Sequence, residues 1–384
     1  MPKSRSFRFE RPQQLAALLL LALAAQCLWV IHRQSLTERD YDFARCGREM
    51  WEKPSPLAGY FTSCGNIQDG TLGYRIAGFP LTLQRIFSGQ GQDTSTWETR
   101  HELGHVLLLL HGGFLLAGLA LGAALWWVTR RLYGNTGGFI ALALYCFAAP
   151  VIHACVYPNN EILAAFGLFA AVYTAVGVAH SMQGPRGRGR ARILLLVLTL
   201  GFTAAAHVAA FLIALLLSLA FMAYLAEGHR AAVVPVVSVG AAGALVLVFA
   251  SYLFNPDAFS YYFRSGAGRM WLSWRAARVW VLAPAHAAMV IATGAALLLY
   301  LFSRRSRYFG NTMPLAIAVF LFFLLTTGIA SETTLWALPF LLTFIAGVFA
   351  DALEGRHRRV FLWATGSILL LQAVLCILVL RVVG

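Results

Sequence analysis

Charge is scarce in this chain. Asp, Glu, Lys and Arg fill only 12% of its 384 positions, where a soluble domain carries about 25%. So little charge cannot cover a water-soluble globule, which excludes an ordinary cytosolic enzyme. Acidic residues are the scarcer sign, 16 against 30 Lys and Arg. The resulting +14 does not point to nucleic acid, because the basic residues stand in short clusters between apolar runs and form no single stripe. Cysteine is sparse too. Four of the six, Cys27, Cys146, Cys155 and Cys376, fall in or beside apolar runs, where Cys acts as a small hydrophobe. Internal repeats and low-complexity tracts are lacking, and GPRGRGRAR at 184–192 reads as a charged connecting loop.

What the chain has in abundance is apolar sequence, 59% of residues with a mean hydropathy of +0.69. A helix needs about 20 apolar residues to cross a bilayer. Runs of that kind lie at 14–32, 106–128, 136–154, 161–179, 193–206, 209–226, 232–253, 282–302, 312–330, 336–352 and 360–382. The expected fold is therefore an all-α polytopic membrane protein of about eleven transmembrane helices in one membrane domain, 1–384. The run at 14–32 is too long for a signal peptide and has no small-residue cleavage site, so it reads as a retained anchor. The stretch 193–226 requires a tight hairpin near His207.

With the N-terminus inside, the cytoplasmic segments hold seventeen Lys and Arg residues, while the short outer loops at 155–160, 207–208 and 331–335 hold none. The positive-inside rule then sets the orientation, with the C-terminus outside, as in a multi-pass protein of the bacterial inner membrane. Two long segments remain outside. The first, 33–105, holds nine of the sixteen acidic residues and reads as short interfacial helices and turns. The second, 254–281, mixes aromatics with Arg264, Arg269, Arg275 and Arg278 and reads as an amphipathic interfacial helix. Cys46 and Cys64 share the first segment, where an oxidising compartment lets them close a disulfide.

Three constellations carry possible chemistry. Thr37-Glu38-Arg39-Asp40-Tyr41-Asp42-Phe43-Ala44-Arg45 places carboxylates among arginines at a membrane surface, where they can act as a general base or hold a divalent metal; equally, this is a self-paired charged surface. Tyr157-Pro158-Asn159-Asn160-Glu161 opens the fourth span with an acid, either a functional group at membrane depth or a helix-dipole partner. His153 lies close by. His101-Glu102-Leu103-Gly104-His105 fits the HExxH zinc pattern. On a continuous helix His111 lies about 240° around from His105 and cannot complete the site. Asn255-Pro256-Asp257 resembles the second motif of site-2 intramembrane metalloproteases. A zinc metalloprotease using His101, Glu102, His105 and Asp257 is thus one competing class, although the pattern sits at the edge of its apolar run and His101 and His105 are not expected to bind zinc. A non-catalytic transporter or scaffold is the other.

Residues 79–175 resemble the polytopic C-type (GT-C) glycosyltransferases, which use polyprenyl-phosphate sugars. The likeness is carried by Phe79-Pro80-Leu81, by Arg100 ahead of an apolar span ending in Thr129-Arg130-Arg131-Leu132-Tyr133-Gly134, and by the paired spans from Phe139 to Tyr173 with Pro150 and Glu161. The Pro-bearing span at 336–352 is similar to the late spans of these enzymes. The resemblance implies inverting transfer of a sugar from a lipid-linked donor at the outer face. Asp42, or Asp40 as second choice, would activate the acceptor, and Glu161 would position substrate or a divalent metal, Mg or Mn. Arg39, Arg45, Arg100, His153, Asn159 and Asn160 would line the substrate site, and Arg264 or Arg269 would hold the donor phosphate. It names no protein partner. Asp40 or Asp42 and Glu161 are expected to face one cavity.

Overall fold

The computed structural model describes residues 11–52, 70–88, 100–183, 189–267, 270–326, 330–355 and 357–383. Among them, nine helices are long and apolar enough to cross a membrane. The first is α1 (Arg11–Arg33), followed by two helices of the first loop, α2 (Glu38–Glu52) and α3 (Thr71–Ser88). Then comes α4 (Arg100–Cys146), which is two spans in one. At Gly134 the backbone takes φ 73° and ψ −173°, a conformation open to glycine, and the chain doubles back. The Tyr145 hydroxyl donates to the Gly118 carbonyl at 2.7 Å, although 27 residues of straight helix would separate them by about 40 Å. Counting both limbs, and the shorter apolar helix Phe309–Phe323, every expected run has a helical counterpart.

The third run departs from expectation: it is a broken helix. The second limb of α4 ends at Cys146 and α5 (Ala149–Val156) starts three residues later. Pro150 has no N–H for the Cys146 carbonyl four residues back, and Val151 donates instead to Ala148 at 3.0 Å. Two carbonyls are thereby left without helical partners at membrane depth, where each unmade bond is costly. Glutamine side chains satisfy them. Gln26 Nε2 of α1 reaches the Cys146 carbonyl at 3.4 Å, and Gln372 Nε2 of α15 (Arg358–Val383) reaches the Phe147 carbonyl at 2.8 Å. Broken helices of transporters leave such carbonyls free to coordinate ions; here amide N–H groups occupy them, which weighs against that class.

The hairpin at His207 is present. Between α7 (Gly189–Ala206) and α8 (Val208–Leu225) His207 alone is extended, φ −157° and ψ 124°. Both helices pack along α6 (Glu161–Met182): Arg192 Nη1 donates to the Gly177 carbonyl and Gln183 Nε2 to the Leu225 carbonyl. After α9 (Arg230–Ser251), the segment expected as one amphipathic helix is two, α10 (Pro256–Ala267) and α11 (Arg275–Leu282). Between them β1 (Met270–Leu272) pairs antiparallel with β2 (Leu324–Thr326), Trp271 opposite Leu325. The glycines at 266 and 268 lower helix propensity where α10 stops, and the pairing with β1 ends α13 (Phe309–Phe323) before the expected residue 330. This small ribbon is the one exception to an all-α fold among the described residues.

The chain continues from α11 through α12 (Ala287–Phe302) to α13 and α14 (Ala330–Leu353). Within Thr333–Leu353 an 18-residue stretch is wholly buried, whereas the corresponding stretch of α15 is 17% buried. A helix apolar on all sides is a core helix, so α14 is the centre of the bundle and α15 its rim. Arg130, Arg131, Arg192, Arg230, Arg305 and Arg358 gather at one end of the bundle; α2 and α3 cover the other.

Candidate functional site

The site region is built on how α2 and α3 are fixed. Thr37 and Asp40 form a capping box at the start of α2: the Asp40 N–H donates to Thr37 Oγ1, and the Thr37 N–H and hydroxyl both donate to Asp40 Oδ2 at 2.7 Å. Gly47 of α2 and Gly78 of α3 let the two helices cross in backbone contact, since a Cβ at either would strike the other helix. Phe43 stacks on Tyr74 with ring centroids 4.2 Å apart, and Trp51 packs on Phe79. At the far end of α2, Glu52 is held by Arg48 and Arg85. Burial raises its pKa, but the bonds and charges of the two arginines outweigh that and hold it below the usual carboxylate value.

The start of α3 is pinned to three spans. Asn160, buried at the mouth of α6, accepts from the Gly73 N–H and donates to the Gly70 carbonyl, both at 2.9 Å. The Gly70 N–H donates to Ala206 at the α7–α8 hairpin. Thr71 Oγ1 bonds Ser251 Oγ, and Arg75 Nη2 donates to the Ser251 carbonyl at 2.6 Å. The two described helices of the first loop are thus part of the bundle's packing.

Asp40 is 1% exposed and turned inward. Its second oxygen, Oδ1, meets His111 Nε2 at 2.9 Å, and His111 is itself fully buried on α4. Burial alone would raise the Asp40 pKa; the bonds from His111 and Thr37 more than offset it and hold the carboxylate below its usual range. Both oxygens of Asp40, the second choice for the base, are engaged within the protein. Asp42, two residues on, lies on the opposite side of α2, exposed and 3.5 Å from exposed Arg45. Arg39 is exposed over the Phe43 ring at 5.7 Å and within electrostatic reach of His153, whose ring leans on Tyr157.

The two asparagines have structural partners. Asn159 Oδ1 accepts from the Glu161 and Ile162 N–H groups, and its Nδ2 donates to Ala154 and Tyr157 carbonyls. It caps α6, and Asn160 pins α3. Glu161 stands half-buried in the first turn of α6, beside Asn160. Arg39, His153 and Asn160 therefore come together around the Phe43–Tyr74 stack. Arg264 stands exposed on α10. Arg269 and Cys64 lie outside the described residues, as do the side chains of Arg100, His101, Glu102 and His105. Cys46 is in a disulfide, while Cys27, Cys146, Cys155 and Cys376 are free thiols. Asp257 is exposed in the first turn of α10. The described residues include no group of three His, Cys, Asp or Glu side chains placed to hold a metal ion.

One feature went unforeseen, a groove of about 770 Å³ between α3 and the first limb of α4. Its lining is apolar except for Arg75, and neither Asp42 nor Glu161 borders it. The expected cavity shared by the two acids is therefore not this groove.

No family model and no curated protein matches the chain. Among solved structures it is similar to the Archaeoglobus fulgidus oligosaccharyltransferase, determined with a tethered acceptor peptide containing the NVT sequon: 12% identity over 97% of this chain and 55% of that one, TM-score 0.54. This chain thus spans about half the length of that protein. At such low identity the likeness establishes the fold, a multi-pass helical membrane bundle arranged as in an oligosaccharyltransferase.

Proposed function

We propose that this protein is a GT-C-type membrane glycosyltransferase that moves a sugar from a lipid-phosphate donor to an acceptor at the end of the bundle covered by α2 and α3. The observation that carries this reading is the likeness to an oligosaccharyltransferase across 97% of the chain. The absence of basic residues from the short loops at this end supports a site on the outer face of a bacterial inner membrane, with the N-terminus cytoplasmic and the C-terminus outside.

Asp42 is the base in this scheme. It is solvent-accessible on a helix whose position is fixed by the Asp40–His111 pair two residues away on the opposite side. As an acceptor atom attacks the anomeric carbon, its proton passes to Asp42, the bond from that carbon to the phosphate oxygen breaks, and the lipid phosphate leaves with the electron pair. Inversion follows from attack opposite the leaving group. Arg264 and Arg269 neutralise the departing phosphate, for which an Arg fork is well shaped. Glu161 and His153 position the acceptor. No step of this scheme is routed through Mg or Mn. The test is transfer of radiolabelled sugar from a polyprenyl-phosphate donor by purified protein: activity lost in Asp42→Asn at unchanged folding supports the scheme, and full activity in that variant removes Asp42 from it.

A further inference from the structure

The ribbon strand β1 and helix α11 take no part in the chemistry above, and their two faces differ sharply. The inward face is packed. Ala276 and Trp280 of α11 are buried, with the Trp280 ring 5.2 Å from Phe322 and 5.6 Å from His286. The Ser273 N–H donates to the Phe323 carbonyl at 2.6 Å, and the Trp274 ring meets Phe323 edge-on at 4.7 Å. The element is thus seated against the end of α13. Its outward face mixes two chemistries. Trp271, Leu272, Trp274, Val279, Val281 and Leu282 are exposed large hydrophobics, and Arg275 and Arg278 are exposed among them. Residues one turn apart are neighbours on a helix, so Arg275 stands beside Val279 and Arg278 beside Leu282.

Such a face fits one depth. In water it would leave a broad apolar patch uncovered, and in hydrocarbon it would strand two arginines. The head-group layer accepts both: aliphatic side chains dip toward the acyl chains, indole rings sit at the boundary and guanidinium groups stay with the phosphates. Its place in the chain agrees, since the apolar span that contains α12 opens at Pro284, two residues after α11 ends. The charge then selects the lipid. Neither guanidinium makes a hydrogen bond or ion pair among the described residues, and no Asp or Glu occurs between Asp257 and Glu332. The choline of a zwitterionic lipid sets a like charge against these arginines. An anionic head group brings none, and its phosphate suits an Arg fork.

We propose that β1 and α11 form a contact surface for anionic phospholipid, with Arg275 and Arg278 on the lipid phosphates and the aromatic and aliphatic side chains around them in the upper acyl layer. The surface uses neither Arg264 nor Arg269, and it does not rest on the transferase reading.

The test is quenching of a bimane label on Val279→Cys in the purified full-length protein, reconstituted in nanodiscs that contain chain-brominated phosphatidylglycerol or chain-brominated phosphatidylcholine at one mole fraction. Cys27, Cys146, Cys155 and Cys376 are buried, which favours labelling at the introduced thiol. Both lipids are expected to quench, phosphatidylglycerol at least twofold more strongly. Arg275→Gln with Arg278→Gln should bring the two lipids level at an unchanged melting temperature, since neither guanidinium has a partner to lose. Arg275→Lys with Arg278→Lys should keep the preference. A label on Leu370→Cys, on the exposed side of α15, should be quenched equally by both lipids. An unquenched label at 279 would put this face in water or beneath another protein and overturn the proposal. Equal quenching by the two lipids at 279, an equal preference for phosphatidylglycerol at 370, or a preference that survives the glutamine pair would overturn it too.

Discussion

The Asp40 carboxylate and the His111 imidazole meet at 2.9 Å across 71 residues of chain, both shut off from solvent. This contact ties the first loop to the second span and decides which acid remains available. Removing one partner of a buried pair costs about 3–5 kcal/mol, because the other is left uncompensated. His111→Ala and Asp40→Ala should therefore each lower the melting temperature of the purified protein markedly. The double variant should be less destabilised than the two single losses added together. Additive losses would show that the pair is not coupled.

The same contact sets a pH dependence. The Asp40 pKa is lowered in the folded protein from 3.8, so its contribution to stability is fully present above that value. It is lost as the pH falls below 3.8 through the folded-state pKa. Melting temperature followed downward from pH 5 should show this added acid sensitivity in the wild type and less of it in Asp40→Asn. Equal acid slopes in the two proteins would contradict the lowered pKa.

The broken third span makes a separate prediction. Gln372→Leu removes the donor to the Phe147 carbonyl, and an orphaned buried carbonyl costs about 1–3 kcal/mol. Pro150→Ala restores the N–H that the Cys146 carbonyl lacks, so in that background Gln26→Leu should be less harmful than in the wild type. The measure is thermal unfolding in detergent for the four combinations of the second pair. If Gln26→Leu costs the same with and without Pro150, the glutamine does not compensate for the proline.

The spans were legible because the bilayer demands about 20 apolar residues per crossing, a signal carried by composition alone. Gly134 lies in a short basic turn between two such runs, and the hairpin at His207 followed from length. The break at Phe147–Ala148 was not anticipated, although Pro150 is visible, because whether a proline bends or breaks a span depends on which neighbours can take up its freed carbonyls. Gln26 and Gln372 come from opposite ends of the chain. At the site, Thr37 and Asp40 already had the spacing of a capping box, yet the acid reads equally as a catalytic base until His111 is seen beneath it. Asn160 binds Gly70 and Gly73, about ninety residues earlier, and no local pattern distinguishes that from a substrate ligand. In sequence, the spacing of His111 from His105 suggests only a zinc ligand, for which its helical phase is wrong.

Topology supplies the next test. Reporter fusions at the two termini should report opposite faces, with the N-terminus cytoplasmic. The reason is electrostatic: the arginines of the α4 turn and of the α6–α7, α8–α9, α12–α13 and α14–α15 connections gather at one end of the bundle. Both termini on one face would mean that one run is not a span, the short helix Phe309–Phe323 being the first to doubt.

The two acids of α2 finally separate catalysis from folding. Asp42 is exposed and its partner is a surface Arg45 at 3.5 Å, an ion pair worth at most about 1 kcal/mol. Asp42→Asn should thus leave the melting temperature within a degree or two while reducing transfer at least a hundredfold, the usual scale of a lost general base. Asp40→Asn keeps the shape of the side chain but removes the charge facing His111, so it should lower the melting temperature, and whatever folded protein remains should keep turning over. Arg45→Ala serves as the control, since it frees Asp42 without removing it and should leave transfer within a few fold of wild type. The opposite pattern, an active Asp42→Asn protein and a stable but inactive Asp40→Asn protein, would move the base to the buried position and require α2 to open during turnover.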